Sequence, residues 1–199
     1  MILSAIPKGL VLALSFFGFT RAYPSGAPVI ACQNGIPQHG LAQPQSGRAP
    51  YEILVDENGH NHMVEIALRG LNREVFRGFL LRVVSVASGK VLGSLELDPS
   101  QSLKGQIIDC ASTEDAATHI NRSDKDEVKL IWNAPQGFDG QVKVVSTVVQ
   151  NHQNFWTNVE SAPFNVGHSG ANDNSNSQVA LWPSLSLTCV ASAIGHYLF

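Results

Sequence analysis

Histidine is the residue type in this chain with the most evident capacity for chemistry, and seven are present. His60 and His62 stand two apart, so on a strand their imidazoles would share a face. A metal site needs further donors, and no cysteine or carboxylate cluster at ligand spacing completes a set. The pair is expected to sit exposed in a hairpin with no metal bound. His119 lies beside Asn121-Arg122-Ser123, and a buried or capping role is expected for it. The patterns Gly-x-Ser-x-Gly, P-loop and His-Glu-x-x-His do not occur,. The reading is therefore a non-enzymatic chain with no catalytic residue and no cofactor. Asp124-Lys125-Asp126-Glu127 is a mixed charge run, expected in a solvated loop.

Two covalent modifications are written in the residues. Asn121-Arg122-Ser123 is the one N-glycosylation sequon, which in a secreted chain marks a surface loop at Asn121,. Cysteines number three, an odd count for a secreted protein,. If Cys189 leaves with the C-terminal end, Cys32 and Cys110 remain, and an oxidising compartment would pair them. Two unpaired buried thiols are the alternative. Closing a loop of that length is worth about 4–5 kcal/mol in the chain-entropy model.

Both conclusions depend on the two ends. Residues 10–19 are an apolar stretch too short to span a bilayer and long enough for a signal-peptide core. Small residues Thr20 and Ala22 then suit cleavage after Ala22, so residues 1–22 are read as a signal peptide. Residues 167–178 are small and polar. Residues 179–199 are mostly apolar and run to the last residue with no Lys or Arg after them, unlike a spanning helix with cytoplasmic positive charge,. Three small residues from Ser169, a polar spacer and an apolar tail match the layout of a glycolipid (GPI) attachment signal. Ser169 is the candidate attachment residue, and the tail would be removed. The alternatives are a buried last strand or an ordinary secreted tail. The full chain carries 13 Lys and Arg against 16 Asp and Glu. Losing Lys8, Arg21 and Asp173 leaves 13 − 2 against 16 − 1, a net −4. That balance excludes a nucleic-acid-binding surface and adhesion to anionic lipid by bulk charge.

The elements between the ends are strands. Apolar residues recur with period two and nowhere with period 3.6. Tyr51, Ile53 and Val55 share a face; so do Val64, Ile66 and Leu68, with Asn58-Gly59 as a tight turn between them. Phe79, Leu81 and Val83 mark a third strand, and residues 91–97 a fourth. Residues 106–110 would bring Cys110 to the core. Val128, Leu130 and Trp132 alternate with Lys129 and Ile131, Pro135 stops that strand, and residues 141–150 form a long β-branched run,. Residues 155–164 give the last strand. Seven to eight short strands with turns about every ten residues predict an all-β, immunoglobulin-like antiparallel β-sandwich, one domain over residues 23–166. Trp132 is expected to pack against the sandwich disulfide.

Several motifs stand in a telling order: Gly26-Ala27-Pro28 before Cys32, then Pro37-Gln38-His39, Arg77-Gly78-Phe79-Leu80-Leu81, Ala117-Thr118-His119, Trp132-Asn133-Ala134-Pro135 and Asn154-Phe155-Trp156. Together they resemble the reeler (reelin N-terminal-like) domain over residues 24–165. Phe76 lies just before Arg77-Gly78-Phe79, in the strand that resembles the family's Phe-x-Gly-Phe. The resemblance implies an extracellular, non-catalytic β-sandwich, secreted or held on the outer face of the plasma membrane. Short single-reeler chains are similar to the arthropod defense-protein group, which implies innate immunity, binding of microbial surface components and an antimicrobial role. The alternative is a cell-surface adhesion or matrix module whose partner is another extracellular protein. Relatives that carry the domain beside haem-containing reductases have partner domains for which this chain has no room.

Overall fold

The computed structural model describes residues 25–57 and 63–167. Two antiparallel sheets pack face to face. One has four strands in the order β1 (Tyr51–Asp56), β2 (Met63–Gly70), β7 (Glu127–Asn133) and β4 (Ser94–Leu97). The other runs β10 (Phe164–Val166), β8 (Gly140–Val149), β3 (Gly78–Ser85), β6 (Ala116–His119) and β5 (Gly105–Ile108). A further strand, β9 (Phe155–Glu160), pairs with β8 beyond the short β10 ladder.

The described residues thus hold ten strands, and the two beyond eight have simple origins. The 155–164 segment is broken at Ser161-Ala162-Pro163, where proline cannot donate to a ladder,. Ser161 turns its hydroxyl back to accept from the Val144 N–H at 3.0 Å. β6 is built from Ala116-Ala117-Thr118-His119, whose alanines carry little strand propensity,. It is a strand because β3 and β5 flank it and its backbone must pair when buried,.

The alternating residues interdigitate between the sheets. Ile66, Leu68, Val128, Leu130 and Trp132 from one meet Phe79, Leu81, Val83, Val144 and Val148 from the other. Burying each such side chain contributes roughly 1.5–3 kcal/mol before chain entropy is counted. Trp132 is fully buried, donates its indole N–H to the Leu92 carbonyl at 2.8 Å and meets the Phe164 ring edge-on at 6.1 Å. Gly93, at φ 73°, gives the indole its room: a Cβ there would stand 2.4 Å from Trp132 Nε1.

The expected contact between Trp132 and the disulfide does not form. Cys32 and Cys110 are joined, with Cα atoms 5.5 Å apart, but on the outer face of the six-stranded sheet. Cys110 is half-buried against a small second cluster of Ala31, Leu80 and Ala116, not in the main core. The reason is alternation along β3: Phe79 and Leu81 point into the sandwich, so Leu80 must point out,. The loop-rich entry covers that outer face as a strap.

Candidate functional site

The strap is residues 25–45, and polar bonds fix it at five places. The Gln106 side chain donates to the Ser25 carbonyl at 2.7 Å. The Ala27 N–H donates to Thr118 Oγ1 at 2.9 Å, and Thr118 Oγ1 donates in turn to the Phe79 carbonyl at 2.7 Å. Arg82 donates to the Cys32 carbonyl, and Thr147 Oγ1 donates to the Gly35 carbonyl at 2.6 Å. The Gln45 N–H closes the far end on the Phe155 carbonyl at 2.8 Å. A single helical turn, α1 (Ala31–Asn34), ends on Gly35, whose φ of 70° is open to glycine without strain,.

Asp115 anchors the other half of the disulfide. Its buried carboxylate accepts the N–H groups of Cys110, Ala111 and Ser112 at 2.7, 2.8 and 2.7 Å. Arg82 lies beneath the strap. Burial lowers its pKa, and the Asp115 charge pulls the other way.

Strap and sheet do not close completely. A cleft of about 440 Å³ remains between them, within the usual size of small-molecule sites,. Leu80, Val149, Ala27, Pro28 and Ala31 give it apolar walls. Gly78 makes its space: a Cβ there would stand 3.3 Å from both His119 Cε1 and Val149 Cβ. The antiparallel register sends three chain segments off the same end of the sheet. Arg77 precedes β3, Asn151-His152 follow β8, and Arg122 follows β6. All four line the cleft. His39 comes from the strap and stacks on His152 at 4.7 Å between ring centres and 17° between planes. Burial lowers the His39 pKa, His152 lowers it further, and a backbone bond at His152 opposes both. Arg77 is paired with Asp124 at 2.7 Å, whereas Arg122 has no ion pair among the described residues.

A family model for the reeler domain matches residues 30–172. The chain belongs to the reeler family. "Putative defense protein 3" of Antheraea mylitta is 34% identical over 160 residues, 79% of this chain and 94% of that protein. "Putative defense protein" of Bombyx mori is 33% identical over 153 residues, 74% of this chain and 87% of that one. Ferric-chelate reductase 1 of Mus musculus is 33% identical over 157 residues, which are 76% of this chain and 25% of the reductase. Among solved structures, the reelin-N domain of F-spondin superposes with a TM-score of 0.51 at 14% identity, covering 64% of this chain and 93% of that one, a likeness of fold.

Four of the six reeler motifs reach the cleft. Gly26-Ala27-Pro28, Pro37-Gln38-His39, Arg77-Gly78-Phe79-Leu80 and His119 all line it. His119 is half-buried. Its Nδ1 lies 3.2 Å from Thr118 Oγ1 and 3.4 Å from the Phe79 N–H. Asn121 is half-exposed beside the cleft-lining Arg122. The charge run is not wholly solvated, contrary to expectation. Asp124 and Asp126 are exposed, but Lys125 is fully buried. Its Nζ is surrounded by the carbonyls of Ser123, Asn121 and Arg77 at 2.8, 2.9 and 3.1 Å, with Asn121 Oδ1 at 3.3 Å. Phe76 pairs with Lys125 across a β-bridge, which draws the lysine inward. His60, His62, Ser169, Cys189, residues 1–22 and the polar spacer and tail from 168 onward lie outside the described residues. Among the described residues no group of three or more His, Cys, Asp or Glu side chains could hold a metal ion, and no helix is long and apolar enough to cross a membrane.

Among the cleft residues, Asn151 and His152 belong to no motif, and Arg77 and Arg122 stand in the sequence only as part of a motif and of the sequon. They are separated by up to 75 residues of chain, 152 − 77, so only the strand register brings them together.

Proposed function

We propose that this reeler chain is an extracellular, non-catalytic recognition module of innate defense, and that it binds components of microbial surfaces in the strap–sheet cleft. One observation supports this most: residues from four of the family's six motifs, scattered from Gly26 to His119, line a single cleft of about 440 Å³. The Thr147 hydroxyl in that cleft is spent on the Gly35 carbonyl, and among the described residues no Asp or Glu lines it. The naming of the moth and silkworm relatives supports the defensive role.

The same reading has the first 22 residues removed on secretion, a glycan on Asn121, and Ser169 as the residue that receives a lipid anchor. The disulfide on the strap suits an oxidising exterior,. Purified native protein incubated with bacteria, lipopolysaccharide or β-glucan tests the recognition role by co-sedimentation or pull-down. Retention on at least one is expected. Retention on none overturns it.

A further inference from the structure

The cleft is chemically two-ended, and the two ends constrain what can fill it. Its floor is aliphatic: Leu80 on β3, Val149 on β8 and Ala31 on the strap. Gly78 supplies depth, because any side chain at that outward-facing position would occupy the space beside His119. Its open end is set by the register. Arg77, Arg122 and His152 leave the sheet at one edge, and His39 joins them from the strap.

The charge at that end is one-sided. Among the described residues, two arginines and three histidines line the cleft and no Asp or Glu does, in a chain whose formal net charge is −3. Asp124 neutralises Arg77 from outside the cleft. Arg122 is exposed and carries its charge without an ion pair among the described residues. An apolar chain alone would gain nothing from that end. An extended polar glycan would leave hydroxyls unpaired against Leu80 and Val149. A cationic amphiphile would meet Arg122 as a like charge.

We infer that the cleft takes an anionic amphiphile, a single acyl or alkyl chain lying on the Leu80–Val149 floor with a carboxylate or phosphate at Arg122. This rests on the cleft being the recognition site. Arg122 supplies a fork of N–H donors suited to either head group. His39 and His152 each add an imidazole N–H at the same end,.

Isothermal titration of the purified domain with decanoate, decyl phosphate, decanol and decyltrimethylammonium, each as monomer, tests this. Decanoate, decyl phosphate or both should bind more tightly than the ammonium compound; which of them binds separates a fatty-acid source from a phosphorylated-lipid source. Arg122→Glu should weaken the anionic probes by about tenfold or more and leave decanol unchanged. Gly78→Leu, which fills the floor, should abolish binding of all three chains that enter. Should Gly78→Leu fail to fold, Arg122→Glu decides alone, since its side chain is exposed. No binding of either anionic probe to the wild-type domain overturns the inference. So does Arg122→Glu binding both anions as the wild type does. Amphiphile binding without retention on any microbial material would instead remove the defensive reading and leave the ligand class standing. Retention without amphiphile binding would do the opposite.

Discussion

The Lys125 ammonium donates to the Asn121 carbonyl at 2.9 Å, so the sequon loop is fastened from beneath by a buried charge. Four oxygens surround three N–H donors, and no carboxylate is among them. Burial draws the amine's pKa down to about 8 and the Asp124 charge pulls the other way; hydrogen bonds to the four oxygens favour the charged form,.

Lys125→Met should therefore destabilise the domain more than a surface lysine change would. Methionine matches the stem but leaves the carbonyls of Arg77, Asn121 and Ser123 facing an apolar tip. Stranding them costs about 1–3 kcal/mol. Thermal unfolding followed by circular dichroism checks this. An unchanged midpoint would mean that water enters and replaces the amine.

The strap should be separable from the sandwich. Replacing Cys32 and Cys110 together by serine frees a loop of 78 residues, a loss of about 4–5 kcal/mol in the chain-entropy model,. Hydrogen exchange should rise first at residues 25–45, while β3 and β8 keep their protection. The sheets' core does not include the disulfide, so the double variant should keep its far-UV signature. Simultaneous exchange of strap and core strands would contradict this.

Alkaline unfolding should depend on Tyr51. Its hydroxyl donates to the Val75 carbonyl at 3.0 Å, and burial, helped by Glu74, raises its pKa from 10.0 to about 12. Between those values the folded state keeps a proton that the unfolded state has lost. Stability contributed below pH 10 is then lost as pH rises toward 12. Lys125 has the opposite slope, because between about 8 and 10.5 the unfolded chain holds the extra proton. Tyr51→Phe should be less stable at neutral pH by about 1 kcal/mol for the lost bond, yet decline less steeply above pH 10. Parallel denaturant curves at several pH values would show it, and equal slopes for the two proteins would rule it out.

The alternation that reveals the strands also explains what the sequence conceals. Ile66, Leu68, Leu130 and Trp132 repeat at period two because one face of their sheet is buried, and that pattern is local. The outer face of the other sheet is covered too, by the strap, so β3 reads as the continuous run Phe79-Leu80-Leu81 and gives no hint of which side meets what. β6 is hidden because Ala116 packs under the strap and Ala117 in the main core, and two alanines look like neither strand nor turn. Lys125 is hidden because burial of a charge depends on carbonyls contributed by Arg77, 48 residues away, and by its own loop. The cleft is hidden for the same reason. Its motifs were visible piece by piece, but the convergence of Arg77, Arg122 and His152 is a property of register.

The sequon's geometry makes a last expectation specific. Asn121 Oδ1 accepts the Ser123 N–H at 3.0 Å and the Ser123 hydroxyl, while its Nδ2 donates to the Leu103 carbonyl at 2.9 Å. The amide nitrogen loses one hydrogen when a sugar is attached and keeps one, so the Leu103 bond can survive. The residue is half-exposed, and Arg122 and Ser123 beside it are exposed. Native secreted protein should therefore carry a glycan at Asn121, seen as a mass that falls on treatment with an endoglycosidase. Removing the sugar by an amidase converts the site to aspartate and places a carboxylate against Lys125. That product should bind its amphiphile as before, because Arg122 is untouched, and should be no less stable, because the new charge meets the buried ammonium. A peptide spanning residues 119–125 with no added mass in natively secreted material would refute the modification.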